Sequence, residues 1–507
     1  MVQAAAAPAL DLAFGFRFED LYDTDALRRV DAAFLEFLGG ADAALRSRLQ
    51  AARQDPSALA AKQESELLID IAPHLDDFIA QLFRIESEVQ ALAARHHVLA
   101  PLYSCKRLFV QRRAVNKVAP EVAAAVDGPA AEQALAARFG EPFSELSFAR
   151  RVTEWLKDEA GHAADIELAL HYAAWAVKTE TGRKRHRGGV LFKTPSKLDF
   201  MKLVPVEIDD QRGFPTFHLG VDHLRRRDGF ALTDPGTDLV GALDQANYCI
   251  WCHEQGKDAC SKGLKDKAPA DGAPAPFKKT PFGVPLAGCP LEERISEFHM
   301  VKTRGEAIAA LAIICVDNPM VAATGHRICN DCMKSCIYQK QEPVNIPQAE
   351  TRTLKDVLEL PWGFEIYGLL TRWNPLDLRR PYPREATGCK VLVVGMGPAG
   401  FTLAHHLMND GHAVVAVDGL KIEPLPPGLS GVMPDGTRTA FHPVRDVHEL
   451  YENLDERLMA GFGGVAEYGI TVRWDKNFLK VIRLLIERRR DFALFDGVRF
   501  GGTLTIE

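Results

Sequence analysis

The sequence predicts a multidomain protein in three parts: a mainly helical domain over residues 1–243, a helical cysteine-rich domain over 244–375, and the first part of an α/β Rossmann-type domain over 386–507. Three observations predict this. Apolar residues recur at helical spacing from Asp25 to about Val177. Eight of the ten cysteines fall between 249 and 336. The apolar run Val391–Val394 leads into a glycine-rich turn, a helical stretch and a second apolar run.

In the N-terminal part, ESELLIDIAPHLDDFIAQLFRIESEVQALAARHH carries the helical period, and alanine fills the other faces at little entropic cost. Past Lys178 a basic turn, a glycine pair and β-branched runs predict a few strands near 185–235. The basic run Arg183–Arg187 reads as a solvated loop. Glu159 and His162 form one ExxH pair on an expected helix, the spacing of di-iron bundles. Such a site needs a second pair and two further carboxylates, and without them a solvated face is expected.

A net charge of −7 and a pI near 6.2 create no global field for a nucleic-acid backbone or an anionic membrane. The N-terminus lacks the basic region of a secretory signal, and no apolar run approaches the ~20 residues a bilayer requires. The expectation is a soluble, cytoplasmic protein. Ten cysteines in 507 residues are too sparse for a disulfide scaffold, and their clustering points to metal or redox chemistry.

The cysteines read Cys249-x2-Cys252-x7-Cys260, then Cys289-Pro290, then Cys329-x2-Cys332-x3-Cys336. Soft thiolates spaced in this way take zinc or iron-sulfur clusters, and the CxxC spacing serves both. Between Cys260 and Cys289 the stretch KDKAPADGAPAPFKKTPFGVP reads as an inserted flexible loop. Cys315 lies on an apolar helical face and reads as core. Cys105 and Cys389 are isolated, Cys389 at the start of an expected buried strand.

Gly395, Gly397 and Gly400, with Pro398 and Ala399 between them, form a dinucleotide fingerprint, and Asp418 ends the next strand. The first glycine permits the tight turn, the second lets backbone approach a pyrophosphate at the helix N-terminus, and the third allows close helix-sheet packing. Asp418 is placed to accept hydrogen bonds from a ribose. This pattern alone does not separate FAD from NAD.

From YCIWC, through GCPLEERISEFHMVKTRGEAIAALAIICVDNPMVAATGHRICNDCMKSC and EPVNIPQAE, to GCKVLVVGMGPAGFTLAHHL, the chain resembles the small subunit of glutamate synthase and the N-terminal half of dihydropyrimidine dehydrogenase. In that family a helical domain with two 4Fe-4S clusters precedes an FAD- and NAD(P)H-binding oxidoreductase unit. The resemblance covers residues 245–507; residues 1–240 resemble no family we can name. It implies that Cys249, Cys252, Cys260 and Cys336 hold one cluster. Cys289, Cys329 and Cys332 would hold the other, completed by Glu350 or, as a fallback, Gln348. It also implies that Gly463 and Gly464 lie beside the flavin, that NAD(P)H is the donor, and that an acceptor protein or catalytic subunit receives the electrons. No side chain is assigned a catalytic role, because the flavin is the reacting group.

The chain departs from the family in three respects. The Cys252–Cys260 and Cys260–Cys289 gaps are long, which leaves His253 as an alternative ligand although it reads as an exposed neighbour. An unusual segment follows Asp418. No second GxGxxG or closing strand is found, so a further C-terminal portion or a partner chain is expected to supply the nicotinamide site. The rival reading is a non-catalytic scaffold, stabilised by zinc or clusters, that holds a nucleotide.

Overall fold

The structure, a computed structural model, describes residues 9–224, 236–270, 272–325, 329–453, 460–462 and 475–506; the glycine pair 463–464 lies outside them. Long helices lead: Thr24–Ala41, Ala43–Gln54, Ala61–Phe83 and Glu86–Cys105. The first two begin at aspartate caps, Asp23 accepting from the Ala26 amide at 2.9 Å and Asp42 from that of Leu45 at 2.8 Å, which satisfies donors that a helix N-terminus leaves open. Glu86–Cys105 runs directly into a ten-residue π-helix, Lys106–Val115. Of the strands expected near 185–235, the described residues hold one antiparallel hairpin, β1 (Val206–Asp209) with β2 (Thr216–Leu219), and residues 225–235 lie outside them. The basic run, read as a loop, mostly belongs to a short helix, Glu180–Arg185, because Thr179 caps it and Arg185 pairs with Glu132 at 2.7 Å.

Buried side chains form two cores, and their boundary runs through the N-terminal helices. The first core joins residues from Leu12 to Leu92 with the cysteine-rich segment and with residues up to Phe492. Phe34 and Phe78 meet Trp373 at 5.9 and 5.8 Å between ring centres, and the Trp373 indole donates to Asp31 at 3.1 Å. The second core, from Leu102 to Leu243, packs Phe139, Phe148, Tyr172 and Phe192 under the π-helix. A buried ion pair, Lys106 to Asp244 at 2.6 Å, links the π-helix to the helix Leu239–Tyr248, whose C-terminus delivers Cys249.

The α/β part is a three-stranded parallel sheet, ordered β3 (Lys390–Val394), β4 (Ala413–Val417), β5 (Phe492–Phe495), with the helix Pro398–Asn409 crossing between β3 and β4. Among the described residues β3 pairs only with β4, and the face that carries Leu392 and Val394 is left uncovered, so they stay 45% and 52% exposed while Val393 turns inward at 4%. Cys389 is accordingly exposed and does not open a buried strand.

One buried cation ties the parts together. Arg488 donates to Glu365 and to the Tyr22 hydroxyl, both at 2.9 Å, and to the carbonyls of Leu429 and His442. Tyr22 in turn donates to Glu365 at 2.9 Å, and the Phe441 ring lies 4.7 Å below the guanidinium. The N-terminal turn, the cysteine-rich segment and the segment after Asp418 therefore close on one charge.

Glu365→Gln removes the only carboxylate that answers this charge within hydrogen-bonding distance among the described residues. Breaking a buried pair in this way costs about 3–5 kcal/mol. Urea denaturation should show that loss, and a change below about 1 kcal/mol would place the pair with ordinary surface bridges.

Candidate metal centres and nucleotide turn

The first cysteine set is assembled by a sharp reversal. The helix Leu239–Tyr248 ends at Cys249, and Trp251 sits at φ +50°, ψ 67°. A non-glycine residue enters this left-handed region at some cost, and here it folds Cys252 back beside Cys249. Cys260 follows on the short helix Ala259–Lys262.

The long insertion after Cys260 is clamped at its base. Leu264 donates to the Leu286 carbonyl at 2.9 Å, Lys278 to that of Leu264 at 2.8 Å, and Cys289 to that of Cys260 at 2.8 Å. Gly263 and Gly288 make this approach possible: a Cβ on Gly288 would lie 2.5 Å from the Gly263 nitrogen, and both residues hold positive φ. The stretch read as a flexible loop is paired backbone at its stem, and the stem places Cys260 next to Cys289.

Two clasps bring in the last group. The Gly288 amide donates to the buried Ser335 hydroxyl at 2.9 Å. Tyr338 stacks on Tyr248, rings 4.5 Å apart and 4° from parallel, and donates to the Tyr248 carbonyl at 3.3 Å. Cys336, between these clasps, is thereby carried to Cys249.

Cys249, Cys252, Cys260 and Cys336 line one small apolar cavity with His299 and Ile295. Burial pushes the Cys249 thiol up to about 12 and Cys260 well above the ordinary thiol range, with the charges of Asp258 and the neighbouring thiols adding. Cys252 and Cys336 are raised for the same first reason. Left alone, all four are neutral thiols in a dry interior.

The second set gathers around Cys332. The Cys332 thiol is raised well above its usual range by burial, then by the charges of Glu350, Glu293, Cys289 and Cys329. Burial raises Cys289 to about 11; Cys329, though exposed, is raised too, by partial burial and then by the Asp331 charge beside it. Glu350 lies on the helix Ile346–Leu358, where Asn318 donates to it at 2.9 Å. Burial lifts its carboxyl well above the carboxylate range, helped by Glu293, itself raised to about 7.

Among the described residues, no three His, Cys, Asp or Glu side chains close on a single metal ion. The donor chemistry nevertheless fits sulfur-ligated groups: one set offers four thiols around a shared cavity, the other three thiols and a buried acid. His299 adds an independent observation. It is wholly buried, lines the four-thiol cavity, and has no partner for either ring nitrogen. Burial lowers it to about 3, so the ring is neutral and offers one donor and one acceptor with nothing to meet.

Spacing arguments missed both His299 and Glu293. Each lies outside any cysteine motif, although a histidine in the apolar-flanked run ISEFHM was a visible signal. His253 is corrected: it is buried at 6% and hydrogen-bonded through Nδ1 to Ser296, because Ser296 and Glu297 pack over it. The ExxH pair is corrected too. Glu159 and His162 sit in the turn before the helix Ala163–Lys178, Glu159 paired with Arg113 at 2.7 Å and His162 facing Asp165.

At the nucleotide turn, Gly395 takes φ +90° and donates to the Val417 carbonyl at 2.7 Å. A Cβ on Gly400 would lie 1.8 Å from the Gly395 carbonyl, so that glycine seats the helix against the turn. Gly397 caps the helix, Pro398 and Ala399 open its first turn, and a Cβ on Gly397 would meet nothing within 4 Å. Space is therefore open at a helix N-terminus, the kind of end at which backbone amides can meet an anion. Asp418 accepts from the Met396 amide at 2.8 Å and the Leu420 amide at 2.9 Å, so the carboxylate braces the turn as well as facing it.

Comparison with known proteins places these features in context. The RP005 N-terminal alpha-helical domain family matches residues 12–84. The chain is 54% identical over 188 residues to uncharacterized protein RP006 of Rickettsia prowazekii (strain Madrid E), covering 37% of this chain and 25% of that one. It is 31% identical over 139 residues to the glutamate synthase (NADPH) small chain of Mycobacterium tuberculosis (strain CDC 1551 / Oshkosh), 27% of this chain and 25% of the relative, a partial likeness to an oxidoreductase subunit. It thus spans about a quarter of the length of each of these two relatives. It is 32% identical over 305 residues to uncharacterized protein RP005 of R. prowazekii, 58% of this chain and 99% of that protein. Matched across almost the whole of that relative, the chain belongs to the RP005 family.

Proposed function

We propose that the protein is an electron-transfer flavoprotein module with FAD at the glycine turn, two 4Fe-4S clusters on the two cysteine sets, NAD(P)H as donor and a partner protein as acceptor. One observation carries the reading: Cys249, Cys252, Cys260 and Cys336, from separate stretches of chain, converge with an unpartnered His299 on one cavity. The partial likeness to an oxidoreductase subunit supports it.

When bound, the flavin would supply hydride acceptance and the clusters one-electron carriage. The chain's own residues do the rest. Gly395 makes the turn, Pro398 opens the helix, and the amides of Gly397, Ala399 and Gly400 at its N-terminus would meet a pyrophosphate, while Asp418 holds that turn in shape. The two thiol sets supply anionic sulfur once deprotonated, Glu350 completes the second, and the apolar walls Ile295, Val344 and Ile346 exclude water from the first. His299 is positioned to donate its ring N–H to a sulfur of the first centre.

Ligand assignment follows from the two sets. Cys336→Ser and Cys249→Ser should remove the same cluster signal in electron paramagnetic resonance, and Cys289→Ser the other; loss of one common signal in Cys336→Ser and Cys289→Ser would break the partition. His299→Leu should keep the iron content and move the midpoint potential of the first centre to a lower value, because a donor to cluster sulfur stabilises the reduced state. An unchanged potential would remove His299 from that role.

The flavin site has its own test. Gly397→Val adds a side chain whose Cβ meets no protein atom within 4 Å, so the circular dichroism spectrum should be unchanged while FAD content per chain falls about tenfold or more. Undiminished FAD would move the nucleotide site elsewhere.

A further inference from the structure

At the end of the sheet opposite the glycine turn lies a cavity of about 450 Å³ that the proposed function does not use, within the size of small-molecule sites. Glu385 and Ala386, ahead of β3, and Arg489 and Asp491, ahead of β5, line it together with Tyr22 and Arg372. Each of the three parts of the chain contributes.

The buried side of this cavity carries charge that the protein does not answer. Arg372, Arg488 and Arg489 are all buried here, and Arg488 is paired with Glu365 at 2.9 Å. Neither Arg372 nor Arg489 has a carboxylate within salt-bridge distance among the described residues. Arg372 donates to the Leu21 carbonyl at 3.0 Å, and its Nε and Nη1 are sealed from water without a partner, so its charge rather than a donor reaches the cavity. Arg489 gives Nη1 to Asn409 at 2.5 Å, and its other two guanidinium nitrogens have no partner among the described residues and are not sealed. Burial, then the Arg372 charge, lowers Arg489 to about 9, and burial lowers Arg372 as well.

The acids of the lining do not cancel this. Asp23, Asp25, Glu385 and Asp491 are all exposed, where solvent screens them. Asp23 is spent on the Ala26 amide, and Asp25 and Glu385 on Arg28 at 3.3 and 3.2 Å. The interior is left with two positive charges, and a buried ion without a counter-ion is strongly disfavoured.

Charge counting sets the chemistry of what would answer them. One carboxylate would neutralise one arginine. A phosphate group carries a charge of about −1.5 to −2 near neutral pH, and its oxygens match the guanidinium fork.

We propose that this cavity binds a phosphate group, as the free ion or as a small monoester, held by hydrogen bonds from Arg489 and by the charge of Arg372. Because Tyr22, Arg372 and Arg489 come from the three parts of the chain, the bound group fixes those parts against one another.

The probes are inorganic phosphate, glycerol 3-phosphate and acetate, each titrated calorimetrically into the full chain near neutral pH at constant ionic strength, with thermal unfolding followed in parallel. One phosphate should bind per chain, about tenfold or more tightly than acetate, and should raise the unfolding temperature. Tighter binding of glycerol 3-phosphate than of inorganic phosphate assigns the site to a monoester, and the reverse order assigns it to the free ion. Arg489→Gln should abolish the binding, and Ala386→Trp, which fills the cavity from its exposed rim, should weaken it about tenfold or more. Arg489→Gln also removes an unanswered buried charge, so without phosphate its unfolding temperature should equal or exceed that of the unchanged protein. A lower one would show an arginine that only serves the fold, and would overturn the site. So would the absence of phosphate binding, acetate binding as tight as phosphate, or a phosphate response lost in Gly397→Val and kept in Arg489→Gln.

Discussion

The local structure around the cysteine-rich segment serves one constraint: thiols from separate stretches of chain must be brought together in a largely dry interior, with Cys329 alone among the seven staying exposed. In such an interior a thiol is neutral and nearly inert, as the upward displacement of Cys249, Cys260 and Cys332 reflects. A soft metal centre reverses that, because coordination favours the thiolate. The strained Trp251, the stem closed by Gly263 and Gly288, the Ser335 hydroxyl and the Tyr248–Tyr338 stack then have a common rationale. Each fixes the direction of a chain that would otherwise carry one cysteine away from the others.

The N-terminal helices are part of the same arrangement. Residues from Leu12 to Leu92 share a core with the cysteine-rich segment, and Ser65 donates to Glu297, two residues before His299, at 2.5 Å. The second core reaches the site through Lys106 and Asp244, and the segment after Asp418 reaches it through Arg488 and Glu365. Damage at Arg488 would therefore loosen the backing of the cysteine-rich segment without touching a thiol.

Local signals were legible in the sequence where spacing alone determines geometry. The glycine turn is of this kind: β3, the helix Pro398–Asn409 and β4 lie where the apolar runs and glycines place them, and Gly395 needs its positive φ. What escaped depends on tertiary contact. Nothing in KDKAPADGAPAP announces a paired stem, since its pairing is set by the near-contact of Gly263 and Gly288. His253 looks exposed until Ser296 is seen to take its ring, and Cys389 looks buried until β3 is seen as an exposed edge strand among the described residues. His299 and Glu293 carry no motif; their chemistry comes from what is packed around them.

The central claim is that the two thiol sets hold iron-sulfur clusters. Its most direct test is quantification of iron, acid-labile sulfide and zinc in anaerobically purified protein, read with Mössbauer spectroscopy of an iron-57-enriched sample. The account predicts about eight irons and eight sulfides per chain, with the spectra of cubane clusters. A colourless protein with one or two zincs, and neither iron nor sulfide, would contradict it.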